Sequence, residues 1–355
     1  MTLPTATLAR YRTMRGSQQA KFLLTSVSAI LILFGVGYWL ISSLIDNPTL
    51  FLSSAVAGLQ NGTLFALIAL GYTLVYGIIE LINFAHGDLF MLGTLFSGFI
   101  VSTVFGVSTS GATVFGWFIF IVALIGCMAF GASVNVAIEF VAYRRLRNAP
   151  RLAVLITAVG MSFIVQNISL VFFDVNFRSI PPLISNGDVF AIRGVHYNWQ
   201  SLFVILITIP VLIILTWLVK STKQGKAMRA TAQDPEASAM MGINVNRTIS
   251  FTFLLAGGLA GIGAVLFLVQ FNIRYDTGFE LGLIAFTAAV LGGIGNLSGA
   301  VLGALIIGLI QAVNEGPFLW APGSDWTRSI VFGILIAILV FRPEGLLGER
   351  TPEGG

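Results

Sequence analysis

The sequence predicts an all-α, polytopic integral membrane protein with about eight to ten transmembrane helices, some of them broken or re-entrant. Three observations carry this. Hydrophobic residues make up 56% of the chain and charged ones 10%, whereas a water-facing surface brings the charged share to about 25%. Apolar segments recur from Phe22 to Phe341, and about 20 such residues in a helix cross a hydrocarbon layer about 30 Å thick. Finally, the long segments do not alternate with a period of two as barrel strands do, and in lipid a helix satisfies its own backbone.

Residues 1–21 read as a cytoplasmic N-terminal segment and 22–341 as the transmembrane domain. The apolar run 22–45 exceeds a signal-peptide core of about 7 to 15 residues, so it is predicted to be an uncleaved first span. It ends at the turn signal Asp46-Asn47-Pro48. Residues 51–79 return inward, a polar break follows from Asn83 to Asp88, and 89–105 run outward. Residues 114–142 descend and 152–173 ascend to an external loop, 174–200, with Pro181, Pro182, Asn186, Gly187 and Asp188. Residues 201–219 descend to the cytoplasmic loop 220–247, and 248–271 ascend. The stretch 283–314 is interrupted by Gly292-Gly-Ile-Gly-Asn-Leu-Ser-Gly299, too rich in turn formers for one helix. The piece before it reads as a re-entrant half helix or a short span. A last span near 329–341 leads to a cytoplasmic tail, 342–355.

Charge sets the orientation. Fifteen of the nineteen Lys and Arg residues lie in four clusters, at 10–21, 144–151, 220–247 and 342–350. The positive-inside rule places all four, and both termini, in the cytoplasm. These clusters flank apolar spans without an aromatic stacking platform, so they point to the bilayer and exclude nucleic acid as a partner. The single cysteine, Cys127, and two distant histidines, His86 and His196, give neither a redox motif nor a metal framework. Glycine supplies 39 residues, with small-xxx-small pairs at Gly58/Gly62, Gly257/Gly261 and Gly299/Gly303. They suit close helix packing, and equally a transporter whose helices slide.

Two stretches carry candidate function. Glu80, Asn83, His86 and Asp88 form a polar group inside an apolar region, where a charge facing lipid costs about 2.5 to 3.5 kcal/mol. It is either a plain connection, with Asn83 or Asp88 as a cap, or a broken helix whose Asn83, His86 and Asp88 line a transport path. The second stretch is Gly225 to Ile243. Asp234 is a natural N-cap, Pro235 suits the first helical position and Gly242 suits the stop. The resulting helix of about two turns needs a partner surface to persist. Ala237, Met240 and Met241 offer an apolar face that packs on the spans or docks another protein. Gly225-Lys226 is followed by Ala227, so the stretch is no phosphate-binding loop. If ATP drives the protein, separate subunits bind it.

The runs GLQNGTLFALIALGYTLVYGIIELINFAHGDLFMLG from Gly58, GKAMRATAQDPEASAMMGI from Gly225, AFTAAVLGGIGNLSGAVLGALIIG from Ala285 and FRPEGLLG from Phe341 resemble the LivH-type permeases of bacterial branched-chain amino-acid ABC importers. The resemblance covers most of the chain outside the first 50 residues or so and the external loop. It implies a non-enzymatic, multi-pass permease of the inner membrane, passing branched-chain or other neutral amino acids. It also implies a second related permease subunit, two ATP-binding cassette subunits and an external solute-binding protein. Glu236 to Gly242 is similar to the coupling motif of such importers, with Ser238 in place of a second alanine. The resemblance thus assigns ATPase coupling to Asp234, Glu236, Ala237, Met240, Met241 and Gly242. Urea-type substrates occur in related permeases. A secondary transporter using Glu80, His86 and Asp88 as an ion relay is the alternative.

Overall fold

The computed structural model describes residues 38, 41–107, 114–147, 149–173, 187–192, 195–316, 318, 321–342 and 344–348. Most of the predicted span 22–45, residues 174–186 of the predicted external loop and the tail beyond Gly348 lie outside them. After helical residues 41–46, Pro48 opens α1, Pro48–Ile79, at a position where its missing N–H costs nothing. Then follow α2, Ala85–Phe99, prolonged by a π turn to Val104; α3, Val114–Ile138, prolonged through Glu139–Tyr143; and α4, Arg151–Phe173. A hairpin of β1, Asp188–Ile192, and β2, Val195–Asn198, leads into α5, Trp199–Ser221. Two short helices, α6, Lys223–Gln233, and α7, Pro235–Met240, precede α8, Val245–Leu268. The chain continues with α9, Thr277–Gly292, α10, Leu297–Glu315, and α11, Ser324–Phe341. Eight of the described helices are long and apolar enough to cross a membrane, with α9 as a shorter ninth apolar one.

The predicted break near Gly292–Gly299 narrows to four residues, because Asn296 caps α10 by accepting from the Gly299 N–H at 3.1 Å. Gly293 and Gly295 take positive φ there, which glycine adopts without strain. The FRPEGLLG stretch closes this break: Leu346 and Leu347 donate to the carbonyls of Leu291 and Gly292, and Asn296 Nδ2 donates to Leu347. The last span starts at Ser324, five residues or so before the expected boundary, so Arg328 is helical. The hairpin was not expected from sequence.

The helices pack as an inverted repeat. The two most extensive pairings are α1 with α10 and α3 with α8, and α2 meets α9. All three run antiparallel, since Gly58 faces Leu309 and Gly62 faces Leu305, Gly131 faces Gly257 and Cys127 faces Gly261, and Gly87 faces Gly282 and Met91 faces Gly278. Helix α2 instead runs parallel to α8, with Gly93 beside Ala264 and Gly98 beside Leu268. Exchanging α1 with α8, α2 with α9 and α3 with α10 maps these pairings onto one another, so the two sets of helices run as units of opposite direction, an architecture on which transporters pivot. Two of the small-xxx-small pairs, Gly58/Gly62 and Gly257/Gly261, sit at these contacts, and Gly299/Gly303 sits where α10 packs on α9. A Cβ on Gly58 or Gly62 would lie 2.8 or 2.7 Å from backbone of α10, and one on Gly303 would lie 2.7 Å from Gly292 N. Backbone cannot yield as a side chain can, so these positions admit glycine alone. Helices α5 and α11 stay at the rim with Ile213, Ile214, Trp217, Ile336 and Val340 exposed, an apolar surface suited to the bilayer interior.

Candidate transport path and coupling surface

Helix α1 ends where Glu80 takes φ of 51°, unusual for a residue with a side chain. The chain then doubles back, so that Ile82 lies beside Tyr76 and His86 beside Gly71. Helix α2 begins inside the bundle, and His86 and Asp88 belong to its first turn. The polar break is thus Glu80 to Phe84, earlier in the chain than the expected Asn83 to Asp88, and the helix cap falls at Phe84 rather than at Asn83 or Asp88. Asn83, His86 and Asp88 are all buried, with at most 2% of their surface exposed.

The three side chains face three different neighbours. Asn83 accepts from the Tyr143 hydroxyl at 3.0 Å, while Asn135 on α3 donates to the Phe253 carbonyl of α8 at 2.7 Å. His86 packs against Gly71 and stands edge-on to Tyr72, with ring centroids 5.0 Å apart. Asp88 accepts from Gln166 Nε2 at 2.9 Å and from the Ser162 hydroxyl, both on α4, and touches Gly278 at the start of α9. A carboxylate with two donors is tolerable where an unpaired one is not. Ser162 and Gln166 escaped the sequence reading because a Ser and a Gln at helical spacing in an apolar span resemble ordinary packing residues.

A second polar cluster was also missed. Glu139 is fully buried, yet it accepts from Arg144 Nη2 at 3.2 Å, from Arg147 and from the Ser250 hydroxyl at 2.8 Å. Arg144 donates to Ser250 at 2.7 Å and Arg147 to Asn246. This network ties the end of α3 to the first turns of α8, on the side of the bundle that also carries α6 and α7. The signal was present as Glu139 just before Arg144 and Arg147, hidden by reading the arginines only as orientation charges. A third cluster lies toward the hairpin, where Ser201 donates to Gln60 and Gln60 to Gln270.

Helix α7 forms as its residues dictate. Asp234 Oδ1 accepts from the N–H groups of Glu236 and Ala237, both at 2.9 Å, and Gly242 leaves the helix at φ of 82°. Its inward contact is Ser238, which is buried, while Met240 and Met241 are 82% and 83% exposed. Ala237 is half-buried, and Asp234 and Glu236 point outward. Helix α6 packs on α1, α5, α7 and α8 and so connects this surface to the bundle; it was not foreseen as a separate helix.

A helical bundle with inverted halves, a re-entrant link and a short, exposed helix has the organisation of a membrane transport subunit. Residues 54–340 match the family described as branched-chain amino acid transport system, permease component, and the chain belongs to that family. It is 38% identical over 307 residues to the high-affinity branched-chain amino acid transport system permease protein BraD of Pseudomonas aeruginosa, covering 85% of this chain and 97% of that one. It is 34% identical over 312 residues to LivH of Escherichia coli K12, with the same coverage. A probable LivH of Methanocaldococcus jannaschii is 27% identical over 300 residues, covering 80% of this chain and 89% of that one.

Proposed function

We propose that this permease subunit passes branched-chain or other neutral amino acids inward across a bacterial inner membrane, with both termini and α6–α7 on the cytoplasmic side. Similarity to BraD and LivH along nearly their whole length carries the substrate class. Two cassette subunits bind and hydrolyse ATP, a second related permease completes the membrane part, and an external binding protein delivers substrate. The chain itself catalyses no covalent step. Asp234, Glu236, Ala237, Met240, Met241 and Gly242 form the ATPase coupling surface, a reading supported by the outward thioethers of Met240 and Met241. Methionine is a soft, adaptable contact residue at binding surfaces.

On the membrane side, the re-entrant start of α2 adjoins the substrate path, and Asn83, His86 and Asp88 anchor it to three neighbours. Movement of α4 or α9 then bears directly on the α2 start through Asp88. The importer reading is tested in proteoliposomes containing the two permeases, the cassette subunits and the binding protein. Leucine uptake is expected only with both ATP and binding protein. Uptake by this chain alone, driven by a proton or sodium gradient, would establish the secondary-transporter alternative instead.

A further inference from the structure

A cavity of about 600 Å³ opens between the end of α1, the end of α5, α6 and the turn joining α9 to α10, within the size range of small-molecule sites. Its wall carries both signs of charge, from Glu80 at the end of α1, Lys220 on α5 and Arg229 on α6. Arg229 is held at the wall by donating to the Val219 carbonyl. The remainder mixes apolar side chains, including Leu74, Met228 and Ile294, with the polar Tyr76, Gln233, Asn296 and Ser298. Among the lining residues, Thr73 is 1% exposed and its hydroxyl has no hydrogen-bond partner, although a buried polar group ordinarily has one.

We propose that this cavity binds a free apolar α-amino acid on the side of the membrane to which the transporter delivers it. The identity of that amino acid rests on the transport reading above. Such a molecule presents a carboxylate, an ammonium group and an aliphatic side chain, which match the two basic groups, Glu80 and the apolar side chains in turn. A phosphate-headed lipid would meet the two basic groups but would set its anion against Glu80. An occupant would bridge α1 and α6, and α6 leads through Asp234 into the coupling helix. Delivered product would therefore hold the coupling surface still and slow further import.

The test uses the whole importer in nanodiscs, with radiolabelled leucine as the probe. Without binding protein, the complex is expected to bind leucine, and Glu80→Gln, Arg229→Gln or Thr73→Val to weaken it about tenfold or more, the loss of one charged or buried hydrogen bond. With saturating liganded binding protein, excess leucine is expected to inhibit ATP hydrolysis in the wild type and about tenfold less effectively in the variants. Wild-type affinity in all three variants would overturn the assignment, as would competition by inorganic phosphate or a requirement for anionic lipid. So would a Ser298→Cys variant shielded from thiol reagent in the full complex but not after removal of the ATPase, because a subunit would then fill the cavity. Uptake into vesicles free of amino acid is measured in parallel. Normal uptake without leucine binding refutes the cavity site alone, and absent uptake refutes the transport reading.

Discussion

The carboxylate of Asp88 on α2 accepts a hydrogen bond from Gln166 on α4 at 2.9 Å, across 78 residues of sequence. Together with the Ser162 hydroxyl it ties α4 to a carboxylate buried where α2 crosses α9. Replacing Gln166 by Leu leaves Asp88 with one donor, which costs about 1 to 3 kcal/mol. Thermal unfolding of the purified importer should start at lower temperature in this variant. The double change Asp88→Leu with Gln166→Leu should cost less than the two singles added together, since neither polar group is then left stranded. Strict additivity would show that the pair does not act as a unit.

The Glu139 network predicts an asymmetry. Glu139 is wholly buried, whereas the side chains of Arg144 and Arg147 are 34% and 20% exposed. Glu139→Gln leaves arginines that can turn to water, but Arg144→Ala with Arg147→Ala strands a buried carboxylate, a loss of about 3 to 5 kcal/mol. The arginine pair should therefore reduce thermal stability more than the glutamate change does. Equal losses would mean that the network is hydrated.

The alternation of spans was legible because each apolar run announces itself by length, and Asp234, Pro235 and Gly242 announced α7 by cap chemistry alone. Asp88 and His86 were legible as costly polar residues, but their partners were not. Gln166 lies far along the chain, and the tertiary fold decides which helix Asp88 meets. The hairpin at Asp188–Asn198 was missed because its strands are too short to alternate visibly. Glu139 was missed because charge counting looks at basic residues and ignores an acid buried beneath them.

Helix crossing makes Gly87 and Gly98 a controlled pair. A Cβ on Gly87 meets backbone of Gly278 and Gly282, whereas one on Gly98 meets only the tip of the Leu268 side chain at 3.3 Å. Gly98→Ala should be tolerated, because helix propensity gains up to about 1 kcal/mol. Gly87→Ala should lower the amount of assembled importer recovered from membranes. Comparable yields would show that α2 and α9 separate easily.

Topology is open to labelling, because the native chain has only Cys127, which is buried. With an impermeant thiol reagent outside intact cells, Asp188→Cys on the hairpin should react and Lys223→Cys should not. The reverse pattern would invert the orientation and with it the assignment of α7 to the ATPase.

The proposed coupling role of α7 gives the sharpest separation of folding from function. Met240 and Met241 are over four-fifths exposed, so replacing either with Glu removes no packing within the subunit but puts a charge where an apolar contact is proposed. Burying that charge against the ATPase would cost several kcal/mol unless it found a partner. Ala237→Glu acts in the same way from the half-buried side. Gly242→Val acts differently: no atom lies within 4 Å of its Cβ, but φ of 82° strains any side chain, by about 1 to 2 kcal/mol. All four variants should insert normally. The three Glu variants should lose co-purifying ATPase subunits and substrate-stimulated hydrolysis together, whereas Gly242→Val should retain part of both. Full stimulation in Met240→Glu and Met241→Glu would remove α7 from the coupling path and leave it as a solvent-exposed turn between α6 and α8.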